Sequence, residues 1–331
     1  WGVKSLQELV SRMSSELALK RKFFGPQQAS RPEPAFYTAR GYRLRSIDEA
    51  FSTKRTMLFF IEGGNWMYPP VRRGFKRALS DSSDAPLVTL ETLSVYPRLF
   101  LLRDFVARSE IDAVIEAVSP SLAASPGSHS QAEHAFFDWQ DDTRYAIEQR
   151  LQDLTKIPYD HAEHLQLLRY GTGKQYAYHT DYFQLQRASG EVLRALEYGA
   201  RNRMLTVLFY FQPPARGGLT GFCRANGTQF STCLESQCPS YPLVHAGRLG
   251  DAVLLYDQWP SGEEDEFTVH ASCSVEEGTK IAGNQWVWSK PMSFKRDAPD
   301  WAGRLRLWDD EEDSVEFERQ TGFRADGPME L

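Results

Sequence analysis

The stretch Leu165–Phe183, LQLLRYGTGKQYAYHTDYF, decides the fold and the chemistry predicted for this chain. It contains His179 and Asp181, two residues apart on a segment predicted to be extended, so both side chains leave the same face of the strand. An imidazole and a carboxylate on one face supply two ligands of a 2-His-1-carboxylate site, which holds Fe(II) and leaves positions open for a co-substrate and O2. Because a single His-x-Asp triplet often arises by chance, this prediction needs a third ligand and a co-substrate anchor.

The third ligand must come from one of the two histidines that follow, His245 and His270. His270 ends the alternating segment Phe267–His270, which we predict to be a strand, whereas His245 precedes a predicted turn and is the weaker candidate. Lys280 begins another predicted strand shortly after His270. A lysine directed into a barrel would be costly unless it met a carboxylate, and an exposed lysine beside a turn is an equal alternative.

Hydrophobic periodicity predicts the elements around these residues. Helical spacing predicts helices over 5–21, 109–118 and 141–156, with Ser109 as the N-cap of the second. Apolar runs between Gly/Pro turns predict strands at 56–62, 97–106, 165–170, 176–181, 204–211, 251–256, 267–270 and 280–288. Many strands preceded by helices that can cover one sheet predict an α+β fold, a β-sandwich or barrel with helical support.

Composition divides the chain into three parts. Residues 1–90 are predicted to be an N-terminal extension, whose helix places an apolar stripe from Leu6 to Leu17 that we expect to pack on the main domain. Residues 91–290 form the main domain, and Ser80–Pro86 is a turn-rich linker before it. Residues 291–331 form a polar tail, in which the acidic stretch Asp309–Asp313 is most simply solvated.

The overall composition excludes several classes of protein. With 331 residues, 41% hydrophobic and 13% aromatic, the chain can bury a full core and is not globally disordered. A net charge of −6 provides no general surface for nucleic acid or anionic membranes. No apolar run approaches the ~20 residues of a membrane span.

The cysteines and one acceptor triplet favour a secretory compartment. All four cysteines fall between residues 223 and 273, the density of local disulfides, and Asn226-Gly227-Thr228 is an N-glycosylation acceptor. The sequence starts at Trp1, so we expect that a leader was removed or not included. A metal cluster is disfavoured because Cys233 and Cys238 lack a second pair at zinc spacing.

Five blocks of sequence resemble the prolyl 4-hydroxylases, a branch of the Fe(II)/2-oxoglutarate-dependent dioxygenases, in order and approximate spacing. They are the opening stretch, RMLTVLFYF (203–211), GGLTGF (217–222), RLGDAVLLY (248–256) and VHASCSVEEGTK (269–280) with the closing QWVW (285–288). The resemblance covers roughly 97–288 and implies a double-stranded β-helix, or jelly-roll, core. It implies Fe(II) held by His179, Asp181 and His270.

The resemblance also implies the roles of the other site residues. Lys280 would pair with the distal carboxylate of 2-oxoglutarate, Tyr170 would hydrogen-bond that co-substrate, and Thr220 would line its pocket. Arg203 and Tyr176 match residues that hold the peptide substrate, and Trp286 matches a tryptophan near the mouth of the site. The implied reaction resembles that of procollagen-proline 4-dioxygenases. It converts 2-oxoglutarate and O2 to succinate and CO2 while hydroxylating proline in Pro-rich polypeptides of the secretory pathway, with L-ascorbate as auxiliary reductant.

Two departures from the family pattern concern the substrate. Gly217-Gly218-Leu219-Thr220 lacks the acid of the family's Gly-Gly-Glu-Thr, and Ser128–Trp139 has no Arg-Thr-Ser run. The same chemistry on a non-prolyl residue or small molecule therefore stays an alternative, as does a non-catalytic jelly-roll binding module. A halogenase is disfavoured because Asp181 occupies the position such enzymes leave vacant, and nucleic-acid demethylation lacks a basic stripe.

The resemblance also bears on disulfide pairing. Cys273 falls where plant and algal members carry a cysteine just after the distal histidine. Cys233 or Cys238 could reach it, and Cys238–Cys273 is the preferred pair. A buried free Cys273 is the alternative.

Overall fold

The computed structural model describes residues 2–17, 34–38, 41, 43–52, 58–79, 88–125, 130–227 and 233–292. The acidic stretch Asp309–Asp313, the linker Ser80–Pro86 and Thr228 of the acceptor triplet lie outside the described residues. Five α-helices lie within them: α1 (Leu6–Glu16), α2 (Ile47–Ser52), α3 (Arg108–Val118), α4 (Asp142–Thr155) and α5 (Gly190–Ala195). None of the helices in these ranges is long and apolar enough to cross a membrane.

The start of α3 differs from the prediction. Its N-cap is Ala107 rather than Ser109, and the Glu110 carboxylate accepts the Ala107 backbone N–H at 2.8 Å. Glu110 therefore binds the N–H of the N-cap residue, and its negative charge is favourable at this end of the helix. The Ala107 side chain makes no capping hydrogen bond, so the predicted hydroxyl cap is wrong.

The strands of the described residues form antiparallel sheets. They are β1 (Ala35–Thr38), β2 (Leu58–Ile61), β3 (Lys76–Leu79), β4 (Val88–Ser94), β5 (Leu99–Leu102), β6 (Ala123–Ala124), β7 (Glu133–Phe137), β8 (Leu165–Tyr170), β9 (Tyr176–His179), β10 (Arg203–Gln212), β11 (Arg216–Gly217), β12 (Thr220–Phe222), β13 (Leu243–His245), β14 (Ala252–Tyr256), β15 (His270–Ser272), β16 (Val275–Glu277) and β17 (Lys280–Trp288).

Two of the sheets build the core of the molecule. The larger has nine strands in the order β3-β4-β5-β14-β10-β17-β8-β7-β6, and the smaller has four in the order β13-β12-β15-β9. Side chains of the larger sheet reach the smaller one across an interior, since Tyr210 bonds Thr220 at 2.9 Å and Lys280 bonds Ser272 at 2.8 Å. Two antiparallel sheets that enclose a common interior confirm the predicted jelly-roll core.

The alternation of β10 separates the core from the site. Leu205, Val207 and Phe209 point to the outer face, where they join one buried cluster with Ile147 and Leu151 of α4. Residues that alternate with them, including Thr206 and Tyr210, face the interior. Burial of each such apolar side chain contributes about 1.5–3 kcal/mol, so packing against α4 on the outer face stabilises the sheet that carries the site.

The segment before His270 is not the strand that alternation predicts. Residues Glu266–Thr268 form a 3-10 turn, because the Asp265 carboxylate accepts the Phe267 N–H at 3.0 Å, and β15 begins only at His270. The turn places the Thr268 carbonyl 2.9 Å from Nδ1 of His270, a contact that orients a predicted metal ligand.

The predicted extension contributes strands to the larger sheet. β3 pairs with β4 and β4 pairs with β5, and the boundary drawn at residue 90 falls inside β4. No residue of α1 is buried. The division of the chain into three parts stays a prediction.

Candidate active site

The two predicted histidine ligands are neighbours across two strands. His179 ends β9 and His270 begins β15, and the two are cross-strand partners. Asp181 follows β9 directly. Its Oδ1 lies 3.5 Å from Nε2 of His179, and its Oδ2 lies 3.6 Å from Nε2 of His270. One ligand atom from each residue lies within 4.8 Å of the others, so the fold assembles the predicted triad.

Backbone carbonyls fix the orientation of both imidazoles. Nδ1 of His179 lies 2.8 Å from the Ala177 carbonyl, and Nδ1 of His270 lies 2.9 Å from the Thr268 carbonyl. Because a carbonyl only accepts hydrogen bonds, each Nδ1 carries the hydrogen. Each Nε2 lone pair is therefore directed to the centre, as a metal ligand requires.

The charge states of the triad suit a divalent metal. Burial raises the pKa of Asp181, but the neighbouring His270, His179 and Arg203 outweigh it and lower the pKa below its usual range. Burial lowers the pKa of His270 to about 4 against the opposing charge of Asp181. Two oriented imidazole nitrogens and a carboxylate are the donor set of an Fe(II) site, so the residues present fit the implied metal.

The smaller sheet arranges the interior in two rows. Phe222, His270 and His179 are paired across strands in one row. His245, Thr220 and Ser272 are paired in the second row, two residues along each strand. Two strand residues correspond to about 6.6 Å, so the second row lies roughly one small dicarboxylic acid away from the metal ligands. His245 lies in this second row and not at the metal site, as expected for the weaker candidate.

Lys280 is directed to the second row. It is 3% exposed, and its Nζ donates to Ser272 Oγ at 2.8 Å. No carboxylate in the described part of the chain forms an ion pair with it, and burial lowers its pKa to about 7. The exposed alternative for Lys280 is therefore wrong, and a buried ammonium without a counter-charge is a site for an anion.

Tyr170 and Thr220 flank Lys280. Tyr170 is its cross-strand partner on β8, and Nζ lies 5.6 Å from the Tyr170 ring centroid. Burial raises the pKa of Tyr170, so its hydroxyl remains a hydrogen-bond donor. The Thr220 hydroxyl accepts a bond from Tyr210 at 2.9 Å. Both predicted pocket residues thus lie where a carboxylate on Lys280 would be.

A turn that contains glycine positions Thr220 in this pocket. Gly217 adopts φ +76°, and a Cβ there would lie 2.5 Å from the Ser274 carbonyl, so only glycine fits. Leu219, which replaces the family acid, packs against the buried cysteine cluster while Thr220 faces the interior. The loss of that acid therefore leaves the interior of the site unaltered.

The three predicted substrate residues surround the metal triad. The Tyr176 ring stacks on His179 with centroids 4.0 Å apart. The Arg203 guanidinium lies 3.7 Å from the Trp286 ring centroid, and its Nη1 donates to the Asp181 carbonyl at 3.2 Å. The structure brings all three to the site, and their contact with substrate stays a prediction.

Several site residues were missed at the level of sequence. Glu163 binds Arg203 with two contacts of 2.7 and 3.1 Å, Ser272 binds Lys280, and Thr206 joins Asp181 to Asp257. Thr206 offered one signal, because it interrupts an otherwise apolar stretch of β10. The others have no local pattern that marks them.

Two disulfides lie beside the site. Cys238 bonds to Cys273, the preferred pair, and Cys223 bonds to Cys233. Because Cys273 follows β15 directly, the first disulfide connects the 3-10 helix Glu235–Ser240 to the strand that carries His270. All four cysteines belong to one buried cluster.

Comparison with known proteins places this site in a family. Residues 165–288 match the 2OG-Fe(II) oxygenase superfamily. Probable prolyl 4-hydroxylase 3 of Arabidopsis thaliana is 30% identical over 216 residues, which cover 60% of this chain and 71% of that protein. The chain belongs to the prolyl 4-hydroxylase family.

Other prolyl 4-hydroxylases match over different shares of their length. Probable prolyl 4-hydroxylase 10 of Arabidopsis thaliana is 29% identical over 66% of this chain and 77% of that protein. The prolyl 4-hydroxylase subunit alpha-1 of Caenorhabditis elegans is 27% identical over 63% of this chain, but only 36% of that subunit is covered.

Among solved structures, the viral collagen prolyl hydroxylase of Paramecium Bursaria Chlorella virus-1, in its 2OG complex, is similar at 20% identity with a TM-score of 0.42. That match covers 57% of this chain and 95% of the viral one. The jelly-roll assignment rests on the sheets of this chain itself and on its prolyl 4-hydroxylase sequence blocks.

Proposed function

We propose that this member of the prolyl 4-hydroxylase family is an Fe(II)- and 2-oxoglutarate-dependent dioxygenase that hydroxylates proline in a Pro-rich polypeptide, releasing succinate and CO2. The related Arabidopsis and nematode proteins are named as prolyl 4-hydroxylases. The geometry of the site supports the part of this reaction that involves 2-oxoglutarate.

The observation that carries the proposal is the buried Lys280. Its ammonium lies in the interior with Ser272 as the hydrogen-bond partner and without a carboxylate among the described residues. The metal ligands lie one strand repeat away, about 6.6 Å along the sheet. A five-carbon keto-diacid spans this distance, with its keto acid end at the metal and its distal carboxylate at Lys280, where a charge-assisted bond forms.

The protein's own residues bind and orient the reactants. When bound, Fe(II) supplies the activation of O2 that is coupled to decarboxylation of 2-oxoglutarate. Lys280 and Ser272 bind the distal carboxylate, while Tyr170 and Thr220 fix its orientation. Burial of Asp181, His270 and Lys280 keeps bulk water away from the reacting groups.

The proposal that the substrate is a peptide is supported by the residues around the metal triad. Tyr176 is partly exposed and presents an aromatic surface of the kind that suits a proline ring. Trp286 is only 7% exposed and lies against the Arg203 guanidinium. Arg203 is held against Trp286 by its paired contacts with Glu163, so its guanidinium is fixed before substrate arrives. Ser130 forms a bridge with Tyr176, so the segment that lacks the family's Arg-Thr-Ser run adjoins this surface.

The binding-module alternative is less consistent with the metal triad. Structural histidines would be expected to use both ring nitrogens within the protein. Here each Nδ1 carries its hydrogen toward a backbone carbonyl, so both Nε2 lone pairs face the Asp181 carboxylate at 3.5 and 3.6 Å with no hydrogen between them, an arrangement that a metal ion would stabilise. This convergence favours catalysis.

The deciding experiment is mass spectrometry of Pro-rich peptides incubated with the protein, Fe(II), 2-oxoglutarate, O2 and ascorbate. We expect a gain of one oxygen on proline, with succinate formed in proportion, and no gain with Asp181→Ala. Peptides with alanine in place of proline serve as the matched control. Succinate without a peptide product would overturn proline as the substrate, and no succinate under any condition would overturn the oxygenase.

Ascorbate dependence and a secretory location complete the proposal. We propose ascorbate as the auxiliary reductant, so omitting it should shorten the period of turnover. Two disulfides within residues 223–273 suit an oxidising compartment. Fractionation of expressing cells would test the location, and recovery in the cytosol with free thiols would contradict it.

A further inference from the structure

One hydroxyl in the interior lies between two carboxyl groups. Thr206 Oγ1 is 2.8 Å from Asp181 Oδ2 and also 2.8 Å from Asp257 Oδ2. Thr206 and Asp257 are fully buried, and Asp181 is 5% exposed. These three side chains therefore form a buried row of hydrogen bonds that ends at the metal ligand Asp181 and is shielded from water.

The number of hydrogens limits how many of the two carboxyl groups can be ionised. A threonine hydroxyl has one hydrogen, so it can donate to only one of the two carboxyl oxygens. If both carboxyls were ionised, the other 2.8 Å contact would join two oxygens with no hydrogen between them. One carboxyl must therefore carry a proton, and it is not Asp181, because that residue must be ionised to bind the metal.

The surroundings of Asp257 agree with a neutral acid. Its second oxygen, Oδ1, is buried and has no hydrogen-bond partner in the described ranges. Arg203, the nearby cation, is already engaged by Glu163. Burial and the charge of Asp181 raise the pKa of Asp257 well above its usual range. An ionised Asp257 would be a buried charge with one donor at most, which is a costly arrangement.

We propose that Asp257 is a positioning residue that acts as a neutral carboxylic acid and holds the metal ligand Asp181 through Thr206. Asp257 donates to Thr206 Oγ1, and the Thr206 hydroxyl donates to Asp181 Oδ2. With Oδ2 held, Oδ1 is the oxygen presented to the metal. This inference rests on the proposed metal site, and it explains how a flexible carboxylate is kept to one-oxygen binding so that positions stay open for co-substrate and O2.

Metal affinity provides a test that does not depend on turnover. Mn(II) binding would be measured by calorimetry on the full chain for wild type, Thr206→Val, Thr206→Ser, Asp257→Leu and Asp257→Asn. Loss of a partner of a metal ligand typically weakens affinity by roughly 10–100-fold, and we expect this for Thr206→Val and Asp257→Leu. Thr206→Ser and Asp257→Asn keep a donor in place and should stay within about threefold of wild type.

The matched control is Asp251→Asn. Asp251 is another buried aspartate, but its carboxylate bonds Arg103 at 2.7 Å and the Asp104 N–H at 3.2 Å and no metal ligand. Its substitution should leave Mn(II) affinity unchanged. Circular dichroism of each variant would establish that it is folded.

The infrared spectrum tests the protonation state directly. A protonated carboxylic acid has a carbonyl stretch apart from that of carboxylates, so wild type minus Asp257→Asn should show one such band at neutral pH. This measurement holds even if Asp257→Leu fails to fold. Absence of the band, or wild-type Mn(II) affinity in folded Asp257→Leu, would overturn the inference alone. Failure of wild type to bind Mn(II) would instead overturn the proposed function.

Discussion

Replacing Lys280 by methionine should stabilise the protein without co-substrate and abolish co-substrate binding. Burial lowers the pKa of Lys280 from 10.5 to about 7. At about 1.36 kcal/mol per pKa unit, burying the ammonium costs on the order of 4 kcal/mol at pH 7. Methionine fills a similar volume without a charge. We expect a gain of about 1–3 kcal/mol, because the bond to Ser272 is lost and the protein relaxes around the amine.

The sign of the pH dependence makes this prediction specific. Below the folded pKa both the folded and unfolded chains hold the proton, so the full cost of the buried charge is present. Between about pH 7 and 10.5 the unfolded chain binds more protons than the folded one, and wild-type stability rises with pH. The advantage of Lys280→Met should therefore be largest below pH 7 and shrink toward pH 10.5.

Urea unfolding of the metal-free protein near pH 6.5 and pH 9 would measure this difference. Lys76→Met is the matched control, because the Lys76 side chain is 64% exposed and its loss should change stability by less than about 0.5 kcal/mol. In thermal unfolding with Mn(II), 2-oxoglutarate should protect wild type and not Lys280→Met. A destabilised Lys280→Met, or one that 2-oxoglutarate still protects, would refute the reasoning.

Three further predictions concern the metal, the co-substrate and the peptide. His179→Ala should abolish Mn(II) binding in calorimetry because one oriented Nε2 is lost, and retained binding would show that the triad is misassigned. Affinity for 2-oxoglutarate at fixed Mn(II) should fall by about tenfold per pH unit above the Lys280 pKa of about 7, since only the ammonium binds a dianion; a flat profile from pH 7 to 9 would contradict this. Arg203→Ala should reduce peptide hydroxylation more than peptide-independent decarboxylation of 2-oxoglutarate, and equal losses would assign Arg203 to the fold.

The strands could be predicted where their apolar pattern is continuous. The predicted bounds of β8 and β17 match the structure, because both strands are buried along nearly their whole length. The segment before His270 was predicted as a strand because Phe267–His270 also alternates. A side-chain contact from Asp265 converts it to a turn, and this competition between side chain and backbone leaves no mark on hydrophobic periodicity.

Some site residues could likewise be predicted from the sequence, and others could not. His179 and Asp181 could be predicted because their spacing alone places them on one face. Thr206 lies on β10 and Asp257 directly follows β14, and the two strands pair only in the folded sheet, so no local spacing joins these residues. The sequence does not decide between a buried and an exposed Lys280, because the groups that surround a lysine side chain are set only in the folded interior.

The pairing of His179 with His270 across β9 and β15 has a consequence for the life of the protein in cells. A metal ion bound there would link two strands that lie far apart in the sequence. The ion can bind both histidines only after β9 and β15 have paired. Metal at 100 times its dissociation constant would add about 2.7 kcal/mol to the folded state. Iron scarcity would therefore lower the amount of the protein that survives proteolysis, as well as slowing the molecules that remain.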